Sequence, residues 1–327
     1  MNDAPLVNTL AEIVGSAAPL LIAAQGELVT ERAGVVNLSL DGSILLAAVV
    51  AFAVAIETGS TEAGILVAML VGMMIALIII TANVLLRVDQ IAVGFVLTLL
   101  AADLSSYVGR DYSGLPGGEI EIPPLAIPLL QDIPILGRIF FQHNLMVYFS
   151  FLLVAFIWFW IYRTGPGLSL RALGERPTAA FVRGTRVQLF RYIYVAIGGA
   201  LVGLAGAGFS LSVTLGWRDG LTSGQGWIAL AIVIFGTWKP NRILLGAYLI
   251  VGLRSLALFL QRQDQLNLAV SVINMTPWLL MLLTLMFVAS GFATNLLVFL
   301  PQRWRPAAAR FLRSDPPAAL GTAFEKE

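Results

Sequence analysis

Residues 63–86, 145–162, 192–213 and 277–300 each run for about twenty positions without one Asp, Glu, Lys or Arg. A bilayer core of roughly 30 Å takes about 20 mostly apolar residues per helix, so each run reads as a crossing. Shorter or interrupted apolar runs at about 8–29, 38–56, 88–106, 222–238 and 243–260 bring the expected number of crossings to about nine. No run has the period-two alternation of a barrel strand, and only closed backbone hydrogen bonding survives in lipid. The expected fold class is therefore all-α: a polytopic membrane helix bundle with broken helices. With 12% charged residues, 58% apolar residues and a mean hydropathy of +0.86, the chain has too little polar surface for a water-soluble protein. Soluble enzymes, DNA-binding modules and secreted scaffolds are excluded.

The chain has no Cys and one His, His143. Disulfide frameworks, thiolate metal sites, cysteine nucleophiles and multi-histidine metal sites are ruled out. No metal site is expected. No Lys or Arg precedes Arg32, so the start lacks the basic region of a cleaved signal peptide. A net charge of +1 gives no reason to expect a nucleic acid or other polyanion.

Lys and Arg are retained on cytoplasmic loops, which sets the expected orientation. The stretch from Arg163 to Arg191 holds six arginines and one acid, Glu175, whereas Tyr107 to His143 holds Arg110 and Arg138 against Asp111, Glu119, Glu121 and Asp132. The first is expected inside and the second outside. Counting from there puts the N-terminus outside and the C-terminus in the cytoplasm. The weakest span is Gly226 to Gly236. Were it re-entrant, Lys239, Arg242 and four tail arginines would lie outside in exchange for Arg262, so a crossing is expected. The expected organisation is a transmembrane domain over 1–300, with an inner loop at about 163–191 and an outer loop at about 107–143. The tail, 301–327, carries four Pro and scattered charge and reads as disordered.

The inner loop reads GPGLSLRALGERPTAAFVRGTRV from Gly165 to Val187. Pro177 suits the first turn of a short helix, small residues line its core, and Gly184 can end it. A rigid plug between glycine breaks suggests docking, while arginines that merely obey the orientation rule are the plainer reading.

RALGERPTAA followed by Gly184 and GGALVGLAGAG (Gly198 to Gly208) resembles the permease subunits of ABC importers in the branched-chain amino acid, ribose and nucleoside group. ERAGVVNLSLDG (Glu31 to Gly42) and VDQIAVGFVLTLL (Val88 to Leu100) fit the same group. GWIALAIVIFGTWKPNRILLGAYLIVG (Gly226 to Gly252) is similar to its nucleoside and unspecified-sugar branch. The resemblance spans roughly residues 9–299. The family often has Glu where this chain has Asp41 and Asp89. The resemblance implies that Arg171, Gly174, Glu175, Pro177, Ala180 and Gly184 belong to a cytoplasmic coupling helix seated in a separate ATPase subunit. It also implies a second homologous permease, as a heterodimer, and an external substrate-binding protein. The only lysines, Lys239 and Lys326, lie outside any G-x-x-x-x-G-K-[ST], so this chain has no P-loop. ATP and Mg are expected on the partner, and the chain itself is expected not to be an enzyme.

Asn37, Asp41, Asn83, Gln90, Phe95 and Trp227 are the candidate pathway residues. Asn37 and Asp41 are four apart, hence on one face if the helix reaches back that far. They either cap that helix or face a path at the Gly34 break, as in broken transporter helices. Asp89 reads as solvated beside Arg87. Trp227 either anchors or stacks on a planar base. Arg254 either makes a buried ion pair or lines the path. Gly199, Gly203 and Ala207 form a small-residue seam.

The expected function is permeation of a small neutral solute, nucleosides first, with a monosaccharide or a branched-chain amino acid as alternatives. A stand-alone secondary transporter would instead need an ion site built from intramembrane acids, of which the sequence offers few.

Overall fold

Four helix starts in this chain are set by local capping side chains. In the computed structural model, which describes residues 4–222, 224–262, 316–322 and 324 and the isolated positions 275, 279 and 282, Ser60, Asp89, Asn144 and Thr164 each accept a hydrogen bond from the backbone N–H three residues on. They open α3 (Thr61–Leu86), α4 (Gln90–Val108), α6 (Leu145–Arg163) and α7 (Gly165–Glu175). Asp89 is thus a cap. The remaining helices are α1 (Ala4–Arg32), α2 (Leu40–Thr58), α5 (Leu136–Phe140), α8 (Pro177–Val182), α9 (Val187–Gly208), α10 (Gln225–Phe235) and α11 (Pro240–Arg262). A π-helical turn, Phe209–Val213, extends α9. Two short strands, β1 (Pro124–Ala126) and β2 (Gln142–Asn144), pair antiparallel.

Among the described residues, six helices are long and apolar enough to cross a bilayer: α1, α2, α3, α4, α6 and α9. The expected count of about nine is therefore not reached by these alone. The run at 243–260 lies in α11, and the run at 277–300 lies outside the described residues. The run at 222–238 departs from expectation. Its helix, α10, has 11 residues and spans only about 16 Å. The segment still passes from one end of the bundle to the other. Trp217 bridges to Ser113 beyond α4, whereas Trp238 bonds Glu31 at the end of α1. The first half of that passage is irregular and the second half helical.

α9 sits centrally, packed on α1, α2 and α3. The seam expected from Gly199 and Gly203 is present, and it faces α3. A Cβ on Gly203 would collide with Ala68 O, and one on Gly199 would lie 2.5 Å from Ala76 Cβ. Without an aqueous driving force, such close backbone contact supplies the packing. On the outside, Leu66, Leu70, Met74 and Ile78 of α3 form an exposed row at four-residue spacing. A row of that kind suits hydrocarbon rather than water.

One end of the bundle carries the 107–143 loop, tied down by Ile122 N donating to Leu211 O at 2.9 Å and Thr61 Oγ1 to Ile120 O at 3.1 Å. The other end carries α7 and α8, so the two long loops close opposite ends.

Candidate translocation site and coupling knob

Between α1 and α2 the chain breaks and enters the bundle. Gly34 adopts φ +86°, a conformation that favours glycine, and turns the backbone out of α1. Residues 35–39 then run buried past α4. Val36 N donates to Gln90 Oε1 at 2.9 Å, and Thr98 Oγ1 donates to Leu38 O at 2.7 Å. Gln90 and Thr98 are two turns apart, so the loop penetrates about 12 Å beyond the start of α4 before α2 begins. The break lies inside the bundle.

Asn37 is buried and organises this loop. Its Oδ1 accepts from Ser39 N at 3.1 Å and Ser39 Oγ at 2.6 Å, while its own N–H donates to Glu27 Oε1 at 3.1 Å. Because α2 starts only at Leu40, Asn37 and Asp41 do not share a helix face. The spacing argument for that pair fails for want of a helix between them.

Asp41 sits in the first turn of α2, and its Oδ1 accepts from Gly226 N at 3.0 Å. Gly226 lies against the Asp41 backbone so closely that a Cβ would collide with it. The N-termini of α2 and α10 therefore converge on one carboxylate, at a depth where neither helix has a solvent-exposed end. Each N-terminus carries about half a positive charge, and Asp41 offsets both. Trp227, next in α10, is half-buried against the main core.

Gln90 is buried through the Val36 bond, with Nε2 unpartnered among the described groups. Asn83 Nδ2 donates to Val88 O at 3.2 Å and closes the turn between α3 and α4. Phe95 is 50% exposed on the outer face of α4 with Ile91 and Leu99. The structure thus brings Asn37, Asp41, Gln90 and Trp227 to the break loop and its α10 neighbour, puts Asn83 at the turn below, and leaves Phe95 apart. Arg254 is half-buried in α11.

Sequence reading missed two carboxylates. Glu27 and Glu31 are both buried in the last turns of α1. Glu31 accepts a hydrogen bond from the Trp238 indole, and Arg32 donates to Trp238 O at 2.7 Å through Nη2. Their signal was present, because two acids four apart end an otherwise apolar run and must share a helix face. Just beyond, burial first and then the Arg242 and Arg32 charges hold the Lys239 ammonium below its ordinary range.

The expected coupling helix is two helices. Pro166 and Pro177 occupy the first turns of α7 and α8, where a missing N–H costs nothing, and Arg176 is the hinge between them. Leu170 and Leu173 point inward and are fully buried. Gly174 packs on Arg32 O with no room for a side chain, and Glu175 Oε1 lies 3.7 Å from Arg32 Nη1. Arg171 stacks over the Tyr162 ring at 5.5 Å. Ala180 is buried, and Gly184 ends α8 at φ +86°. Val182, 84% exposed, and the Glu175, Arg176 and Arg183 side chains form the outward face of the knob.

Residues 316–322 form a turn on this knob, while most of the 301–327 tail lies outside the described residues. Ala319 N donates to Gly174 O at 2.8 Å.

A bundle of long apolar helices with a buried break between α1 and α2 and a folded knob at one end is that of a multi-pass membrane protein. The chain belongs to the family described as branched-chain amino acid transport system / permease component, which matches residues 9–300. It is 38% identical over 78% of its length, and 78% of the relative's, to a Haloferax volcanii protein provisionally named a glucose ABC transporter permease. It is 36% identical to the guanosine ABC transporter permease NupQ of Bacillus subtilis, over 72% of this chain and 77% of that one. To the nucleoside ABC transporter permease NupC of Lactococcus lactis it is 32% identical, over 77% and 84%. No solved structure matches the chain. As a permease subunit it is not an enzyme, and ATP hydrolysis resides on a separate subunit.

Proposed function

We propose that this chain forms one half of the membrane pathway of an ATP-driven importer for a small neutral solute, with nucleosides as the first substrate class. The observation that carries the neutral-solute reading is Asp41. Half-helix N-termini at mid-depth commonly greet an anionic group of the substrate. Here the protein's own carboxylate takes that place, through Gly226 N at 3.0 Å. An amino acid carboxylate would have to displace it, which weighs against the branched-chain amino acid reading. The guanosine and nucleoside permeases among the relatives support nucleosides, and the relative named for glucose supports a monosaccharide as the second reading.

In this reading the knob of α7 and α8 seats in the ATPase partner, where ATP and Mg bind, and a second homologous permease completes the pathway as a heterodimer. An external binding protein delivers the solute. The N-terminus is outside and the knob cytoplasmic, in a bacterial plasma membrane. Glu175 and Arg171 transmit the ATPase movement through the end of α1, which Glu175 reaches at Arg32 Nη1, 3.7 Å away. Reconstitution with the partner ATPase tests this. Substituting Glu175→Ala and Arg171→Ala together should abolish receptor-stimulated hydrolysis while assembly stays intact, and normal stimulation would overturn the assignment. Competition of labelled guanosine uptake by glucose separates the two substrate readings.

A further inference from the structure

Residues 316–322 and 324 lie outside the 9–300 span that matches the permease family, yet they are seated at the knob end of the bundle. Pro317 and Ala319 are buried there. Ala319 N donates to Gly174 O of the knob at 2.8 Å, and Gly321 N donates to Gly34 O of the break loop at 3.1 Å. Ala318 N reaches Glu175 Oε2 at 3.4 Å, and the Phe324 ring meets Phe181 of α8 at 5.7 Å between centroids. Beneath this strap Arg191 of α9 is fully buried, with Nη1 donating to Thr322 O at 3.2 Å.

Two N–H groups two residues apart thus bond carbonyls on two different bodies, the knob and the break loop. A peptide that bonds both opposes their separation. The knob already has a direct route to α1, through the Gly174 contact with Arg32 O and the Glu175 pair. The strap therefore adds restraint rather than connection. Its seat is also imperfect. Arg191 Nε and Nη2 find no partner among the described groups, and buried unpaired donors are costly. Release of the strap would open these donors to water.

We propose that residues 316–322 and 324 are a brake on coupling: in the resting transporter they hold the α7 and α8 knob against the Gly34 break and Arg191, and they must release before the knob moves. This rests on the knob being the ATPase seat. The test uses the whole permease–ATPase complex in nanodiscs, intact and with residues 316–327 deleted. Deletion should raise receptor-independent ATP hydrolysis several-fold and speed amide exchange across 165–184 at least tenfold. With ATPase still bound, unchanged or slower hydrolysis overturns the brake. If no ATPase binds even the intact chain, the seat reading fails, and exchange alone then decides whether the strap holds the knob, an unchanged rate overturning it. Because the chain has no Cys, Phe181→Cys with Phe324→Cys can be bridged by a reductant-cleavable bis-maleimide. Transport should stop on bridging and return on reduction. Undiminished transport while bridged overturns the proposal.

Discussion

Asp41 and Gly226 stand 185 positions apart in sequence, and the carboxylate of one accepts the N–H of the other at 3.0 Å. This contact joins the starts of α2 and α10 in the interior of the bundle. Removing a capping carboxylate costs about 0.5 to 2 kcal/mol. Asp41→Ala should therefore lower the thermal unfolding midpoint in detergent by a few degrees. Gly226→Ala should do more, since its Cβ has nowhere to go but the Asp41 backbone. A Gly226→Ala protein as stable as the parent would show that the two helix starts are not in contact.

The α3–α9 seam makes a steric prediction. Gly203→Val forces a branched side chain against the Ala68 carbonyl, and overpacking of a tight interface costs about 1 to 3 kcal/mol. Gly252 has open space around its Cβ position, so Gly252→Ala serves as the control and should be near neutral. Chemical denaturation in mixed micelles measures both, and equal effects would remove the seam from the account.

Trp238 supplies the hydrogen bond to the buried Glu31 carboxylate. Trp238→Phe keeps an aromatic side chain but withdraws the donor and leaves a smaller ring; the unsatisfied buried acceptor alone costs about 1 to 3 kcal/mol, and the lost packing adds to it. Trp238→Phe with Glu31→Gln should recover part of that loss, because the amide is neutral. A double-mutant cycle on unfolding midpoints reads the coupling, and strict additivity would refute it.

Helices were legible wherever an uncharged run was long enough to settle its own environment. The 63–86 and 145–162 runs became α3 and α6 almost to the residue. Local caps such as Ser60 and Thr164 act on an N–H three positions away, whereas the cap read at Asn37 fell short because α2 begins only at Leu40. The 222–238 run misled because apolar composition fixes the solvent, lipid or protein interior, but not how much of a crossing is helical. α10 is short because Gly224 and Gly226 meet Asp41 at mid-depth, and no local feature announces that meeting. Glu27 and Glu31 were visible as residues, but their partners lie elsewhere in the fold: the break loop at Asn37 N for Glu27, and Trp238, about two hundred positions away, for Glu31.

Sequence alone determined that the chain lives in a bilayer, that its crossings are helices, and that it carries an arginine-rich loop folded around two prolines. These follow from the cost of desolvating charges and backbone groups, which each segment meets by itself. Tertiary structure alone decided that Asp41 serves two helices, that Asn37 shapes a buried loop instead of sharing a helix face with Asp41, and that residues 316–322 bind the knob. Those outcomes depend on which surfaces reach one another in space, and that is a property of the packed bundle rather than of any one segment.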